Sequence, residues 1–443
     1  MELKLKKGLD LNLAGAVADT SLLTEVKVSE CAVIPDDFHG FTPKPDVKEG
    51  DKVARGQTLL HDKKHEAVKI VSPASGTVKA VVRGERRKIE RVVISIEGND
   101  EVTFDTAGIK SATDAVGFLC ATGILSRMRT RPYDIVPDPD TLPRDIFITA
   151  IDSAPLAPGL GAYVNGKKKE IEAAVTLLSK VTAGKVYLCV GEDWSQGNIS
   201  GAENVVISGK HPVGNVGVQI ANIAPINKGD TVWTLDAVTL VKLGTVLTTG
   251  RHDASTIVAL TGSEVKEPHM ISTVEGAQIA TLVDGQLTHT DHVRIISGNV
   301  LTGTKVATDG FLHFPYRQIT VIPEGDNADE FMGWASLSPS KMSVSRSFPG
   351  HFLKRLFKPD ARILGGRRAM IMSGEYDKVI PIDILPEYLI KAILAKDIEQ
   401  MEKLGIYEVA PEDFALAEYV DTSKLPLQQI VREGLDYLRK EVE

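Results

Sequence analysis

Between Phe41 and Val82 the chain alternates short apolar stretches with glycine turns, a rhythm that restricts it to short paired strands. Val47, Val53 and Leu59 recur around Gly50-Asp51 and Gly56-Gln57. Glycine at such points supplies the backbone freedom that a tight reversal needs. A second half answers the first: Ser72-Pro-Ala-Ser-Gly76 reads as a turn and Thr77–Val81 as a strand. After a further turn at Gly84, Val92–Ile96 reads as a buried strand.

Two such halves resemble the barrel-sandwich hybrid of biotinyl and lipoyl carrier domains, which places that fold at residues 1–100. In carrier domains one lysine at the tip of the connecting hairpin takes the prosthetic group. Here the hairpin is His61-Asp-Lys-Lys-His65, with Lys63 and Lys64 side by side and no Met-Lys-Met signature. A solvated charged tip is the simpler reading, and a biotin- or lipoate-type carrier modified on Lys63 or Lys64 is the alternative. His61 and His65 are four apart, a spacing that converges on a metal only in a helix, so no metal is assigned to them.

At 443 residues the chain exceeds one ordinary domain, and its texture changes accordingly. Ile146–Ile151 is a buried strand ending in Asp152. Ile171, Ala174, Val175 and Leu178 mark an amphipathic helix that Gly184 closes, and Val186–Val190 is the next strand. Strand, helix, strand predicts an α/β domain with a parallel sheet at 111–250. Residues 251–315 return to short strands, at 256–260, 278–282 and 293–296, and predict a small β-grasp insert, SLBB-like in type. A basic connecting segment fills 316–375. From 376 to 443 a helical domain is expected: one helix from Pro386 to Leu404, a short one from Pro411-Glu412-Asp413, and a third at about 427–442. The fold class is therefore α/β multidomain.

The formal net charge of −8 argues against nucleic acid, which selects a basic face. Three scattered cysteines, Cys31, Cys120 and Cys189, point to a reducing compartment rather than a disulfide framework. The lack of an apolar run near ~20 residues and of an apolar leader predicts a cytoplasmic chain without a membrane span. Gly298-Asn-Val-Leu-Thr-Gly-Thr-Lys305 nearly spells a phosphate loop, but its last two residues are inverted and no long helix follows, so it reads as a strand turn. Pro155–Gly161 lacks the three spaced glycines of a dinucleotide fingerprint. Between Ser343 and Arg368, Arg346, Lys354, Arg355, Lys358, Arg362, Arg367 and Arg368 face Asp360 alone, interleaved with Phe348, Phe352 and Phe357. That segment is either a solvated loop or an interface with an acidic protein or an anionic lipid surface.

Rare, collinear motifs carry a wider resemblance. They are Lys6-Lys-Gly-Leu-Asp-Leu11, Asp62-Lys-Lys64, Pro73–Val78, Arg129-Thr-Arg-Pro-Tyr133, His211-Pro-Val-Gly214, Gly350-His-Phe352, and Gly365-Gly-Arg-Arg-Ala-Met370 with Pro381-Ile-Asp-Ile-Leu-Pro386. Over essentially its whole length the chain resembles the NqrA family, whose members are subunits of the sodium-translocating NADH:quinone reductase, a bacterial respiratory pump. That family is similar in turn to the C subunit of the Rnf complex and the flavin-bearing subunit of respiratory complex I. The resemblance implies a peripheral subunit on the cytoplasmic face of the inner membrane, concerned with quinone and docked on an integral membrane partner of the same pump. NADH, flavins and iron–sulfur centres would belong to partner subunits, with no cofactor, metal or catalytic residue here; the alternative is a flavin-bearing NADH dehydrogenase subunit like those relatives. Where the relatives' ferredoxin-like module has cluster cysteines, this chain has Phe414, Ala417 and Asp421, and Thr422 replaces the proline. Arg129, Arg131 and Tyr133, in the matched linker, and His39, in the barrel, are the quinone-proximal candidates, because ligand clefts form at domain junctions. The simpler alternative pairs these arginines with carboxylates across the junction.

Overall fold

The computed structural model describes residues 1–327, 338–344, 348–353 and 355–442. Arg346 and Lys354 lie outside them. The barrel is built from a four-stranded sheet in the order Glu30–Val33, Ile89–Ile96, Gly76–Arg83, Lys52–Val53, facing a three-stranded one of Pro43–Pro45, Thr58–Asp62 and Lys69–Val71. Val53, Leu59, Leu60, Ile70, Val78, Val92 and Ile94 fill the space between. Gly50 and Gly56 have φ of 88° and 82°, the left-handed region expected of those turns. The first 25 residues place strands elsewhere: Glu2–Lys4 joins the α/β sheet and Leu23–Glu25 the β-grasp sheet.

Six strands form the α/β sheet, in the order Glu2–Lys4, Glu203–Ser208, Val186–Val190, Asp145–Ala150, Val232–Asp236, Arg129–Arg131. Every neighbouring pair is parallel except the last. Helices Lys168–Leu178 and Ala237–Thr249 lie side by side, and Gly244 allows the contact, since a Cβ there would sit 2.0 Å from the Glu170 carbonyl oxygen. Successive strands progress to one side of Asp145–Ala150, while Val232–Asp236 lies on its other side. In such a sheet the crevice opens beyond the carboxyl ends of the two strands where the order reverses.

The β-grasp sheet differs from expectation in two respects. Residues 278–282 are not a strand: Ile279–Val283 is a helix, with Ile279, Leu282 and Val283 buried at i, i+3, i+4, and five residues are too few to show that period. The sheet also extends past residue 315, because Gln318–Pro323 pairs with both Val293–Ser297 and Ser255–Thr261 at its centre. In the helical domain the expected helix to Leu404 is two, Pro386–Ala395 and Ile398–Lys403. They are broken where Lys396 turns left-handed (φ 55°) and Asp397 caps the second by accepting from the Gln400 amide. Leu427–Val442 closes the domain.

Candidate functional site

His39, Arg131 and Tyr133 bond residues of the helical domain, and the four candidates do not share one cavity. Arg131 ends the antiparallel edge strand and is only 1% exposed. Its Nη2 donates to Glu412 Oε1 at 2.8 Å, its Nη1 to Asp413 Oδ2 at 3.3 Å, and Asp134 Oδ1 lies 3.5 Å from its Nε. The carboxylates are those of the Pro411-Glu412-Asp413 turn, which also turns an oxygen of Asp413 to the Ala410 amide at 2.9 Å. Burial lowers the guanidinium's pKa, but these three acids outweigh it and hold Arg131 charged. Burial in turn raises the carboxyls of Glu412 and Asp413 above the usual range, against the pull of Arg131.

Tyr133 and Asp134 follow in left-handed conformation, φ 78° and 53°. Arg432 on the last helix clamps this turn, donating to Tyr133 O at 2.5 Å and Asp134 O at 3.3 Å. Its neighbour Asp436 takes His39 Nε2 at 3.1 Å. Gly40 then lets the barrel close on the linker, since a Cβ there would meet Ile135 Cβ at 2.7 Å. Arg129 donates Nη2 to Asp37 O at 2.6 Å and Nη1 to Met128 O at 3.0 Å.

His39, Arg129 and Arg131 line a cavity of about 430 Å³ together with Asp236, Phe314, Tyr316, Glu412 and Arg432. It lies at the strand-order reversal, between the barrel, the sheet, the β-grasp segment 313–317 and the helical domain. Tyr133 instead borders a second cavity, of about 460 Å³, with the hairpin's Lys64 and His65. The first is the candidate site. One wall is aromatic: Phe38 stacks on Phe314, centroids 5.1 Å apart and planes at 3°. The guanidiniums of Arg127 and Arg129 lie 5.3 and 6.0 Å from the Phe314 ring centre. Behind it His313 Nδ1 lies 2.6 Å from Asp37 Oδ1, and Asp37 Oδ2 accepts the Phe314 amide at 2.9 Å. On the sheet side Asp236 caps its helix by accepting from the Val238 and Thr239 amides, both at 2.9 Å. Burial raises its pKa, but Arg317 and these amides more than offset that, so the carboxyl stays below its ordinary range. Cationic donors around a flat apolar wall suit a planar ligand with carbonyl or anionic oxygens.

Sequence reasoning missed Asp37, Asp236, His313, Phe314, Arg317 and the carboxylate partners of Arg131. The run His313-Phe-Pro-Tyr-Arg317 was the one available signal, an aromatic and basic cluster at a proline.

Beside this crevice two of the matched motifs touch. Asp10 Oδ1 accepts the His211 amide at 2.9 Å, and a Cβ on Gly8 would lie 2.3 Å from His211 O. His211 Nδ1 lies 3.1 Å from Ser153 Oγ, and that oxygen also accepts the Gly214 amide at 2.8 Å. The contact orders the loop, and burial keeps the His211 pKa low. At the carrier-like hairpin Asp62 accepts the Thr42 and His65 amides, leaving Lys63 and Lys64 exposed. His61 bonds Asp46 at 2.8 Å, whereas His65 has Asp138 at one ring nitrogen (3.5 Å) and Asp140 at the other (3.6 Å).

Family models match three stretches: the NqrA N-terminal barrel-sandwich hybrid domain at 3–97, the NqrA second alpha/beta domain at 111–252, and the NQRA C-terminal domain at 257–308. Curated relatives match over 99% of the chain. The A-type subunit of the Na(+)-translocating NADH-quinone reductase of Neisseria meningitidis serogroup B is 36% identical with all of its length covered. The proteins of the same name from Pasteurella multocida and Hahella chejuensis are 36% and 37% identical, over 99% and 100% of their lengths. The chain belongs to the NqrA family. A solved NAD+-reducing [NiFe]-hydrogenase is similar over 41% of this chain and 40% of that one, at 11% identity and a TM-score of 0.30, too low to bear on fold or function.

In this NqrA chain the residues expected to stand in place of cluster cysteines, Phe414, Ala417 and Asp421, are buried. Phe414 and Ala417 are fully buried, and Asp421 accepts the Ser423 and Leu425 amides at 3.0 and 2.7 Å. The residues do not fit an iron–sulfur cluster, which thiolates hold. Cys31, Cys120 and Cys189 lie in other domains, and burial pushes the first two thiols up to about 12. Among the described residues no helix is long and apolar enough to cross a membrane.

Proposed function

We propose that the chain is the peripheral NqrA component of a sodium-pumping NADH:quinone oxidoreductase, docked on integral membrane subunits at the cytoplasmic face of the bacterial inner membrane and serving the quinone-reduction end. The observation that carries this reading is end-to-end similarity, 36% identity over 99% of the chain and all of the relative. The chain takes part without a prosthetic group: NADH, flavins and iron–sulfur centres reside on partner subunits, and quinone is the substrate of the whole. The aromatic wall at Phe314 and the donors His39 and Arg129 support placing the quinone headgroup near the four-domain cavity. Arg131 and Tyr133 act on that site by holding the linker, Arg131 through its carboxylates and Tyr133 through its turn.

The test separates binding from electron entry. In the assembled pump, Arg129→Ala is expected to raise the apparent KM for quinone about tenfold, the worth of one charged hydrogen bond. NADH oxidation by an artificial acceptor should keep its rate. An unchanged KM in both Arg129→Ala and His39→Ala would remove this cavity from the quinone path.

A further inference from the structure

From Phe357 to Ser373 the chain runs as a strap without helix or strand, tied down at three places. Phe357 is buried, and its amide donates to Asn12 O at 2.8 Å. The Ala361 amide donates to Pro323 O at 3.0 Å, at the central strand of the β-grasp sheet. On the helical domain the Arg368 amide donates to Ser423 O at 2.9 Å, and the Ser373 and Gly374 amides to Glu387 Oε1 at 2.9 and 2.7 Å. Between the ties the side chains point outward. Ile363 is 60% exposed and Ile371 58%, and Leu364, Arg367 and Arg368 are exposed as well. Leu356, 66% exposed, extends the patch at one end. An apolar strip of this kind on a tethered segment marks a surface that something covers.

Its charge says what. Five cations, Arg355, Lys358, Arg362, Arg367 and Arg368, face one acid, Asp360, in a chain of net charge −8, and that acid already holds Arg362 at 2.6 Å. The occupant is therefore acidic as well as apolar. A lipid leaflet fits less well than protein. The extended backbone would carry its amides into an apolar medium that cannot bond them. The acidic body of the chain would be repelled by anionic headgroups. Arginine and methionine are enriched at protein interfaces and lysine is depleted, and the strap carries Arg362, Arg367, Arg368, Met370 and Met372 against Lys358.

Resting on the functional reading above, we infer that the strap 356–372 is the docking surface for an acidic, apolar segment of another protein of the pump. Two pairs of substitutions in the full-length chain test it: Ile363→Asp with Leu364→Asp, and Arg367→Glu with Arg368→Glu. Each pair should weaken binding of the purified chain to the detergent-solubilised remainder of the pump by at least about tenfold. The melting temperature of the isolated chain should stay unchanged, because all four side chains are exposed. Wild-type protein should not float with phosphatidylglycerol–phosphatidylethanolamine vesicles. Wild type that binds while both variants bind equally well would overturn this inference and leave the functional reading standing. Flotation of wild type abolished by the arginine substitutions would overturn it in favour of lipid. Wild type that fails to bind the remainder would overturn both readings.

Discussion

Arg131→Ala is expected to destabilise the chain by about 3–5 kcal/mol, because it strands the buried carboxylate of Asp413 rather than removing a surface contact. Asp413 is fully buried, Glu412 stands beside it, and the guanidinium is their shared cation. Deleting it frees the linker from the helical domain at the point where Arg432 and Asp436 also hold it. The sign of the pH dependence follows. Both carboxyls already have raised pKa values in the folded state, and loss of the cation raises them further. Protonation then relieves the variant, so its deficit relative to wild type should shrink as pH falls from 7 towards 5. Urea denaturation at the two pH values measures this. A loss below ~1 kcal/mol would mean that the pairs are screened like surface salt bridges.

His252 should make the second large contribution, through pH. It is 2% exposed, and neither ring nitrogen has a hydrogen-bond partner. Burial lowers its pKa to about 3, reinforced by Arg127 and Lys242 and opposed by Glu275 and Asp253. The unfolded chain takes up a proton near pH 6.5 that the folded one refuses. Stability from this site is complete above that pH and falls as pH drops towards 3, by on the order of 4 kcal/mol in all. Glu275 acts in the same sense only at lower pH, since its carboxyl is already ionised well below the usual range: burial opposes this, but Arg127 and Lys242 prevail. Glu412 and Asp413 work in the opposite sense over part of the window. The diagnostic quantity is therefore the difference between wild type and His252→Gln. The variant should have the shallower loss of stability between pH 6.5 and 4.5, and an identical slope would show that the imidazole does not carry the effect.

The parts of the fold that were legible in the sequence have short-range signatures. Glycine turns gave the barrel strands around Leu59 and Val78, the i, i+3, i+4 pattern at Ile171–Leu178 gave its helix, and Pro386 marked a helix start. The helix at Ile279–Val283 was misread because a run of five residues fits either period. The break at Lys396 was invisible because it turns on one left-handed residue inside an apolar pattern. The strand Gln318–Pro323 lay past an assumed boundary. For the site, position at a domain junction brought out Arg129, Arg131 and Tyr133 in the matched linker and His39 in the barrel. Their partners could not be read, because Asp413 lies 282 residues from Arg131 and Asp436 lies 397 from His39, and only the tertiary fold brings them near. The cavity beside Phe314 separates the four candidates: His39, Arg129 and Arg131 line it, Arg131 with its guanidinium already committed to carboxylates, while Tyr133 borders the other cavity.

Omission of this chain from the purified pump is the decisive experiment. Splitting a hydride into single electrons needs flavin or cluster chemistry, which the proposed reading assigns to partner subunits. A complex lacking it should still oxidise NADH with an artificial acceptor at the wild-type rate but no longer reduce quinone, and adding back the purified chain should restore quinone reduction. Quinone reduction and sodium pumping at full rate in its absence would refute a role at the quinone end and make the chain an assembly factor.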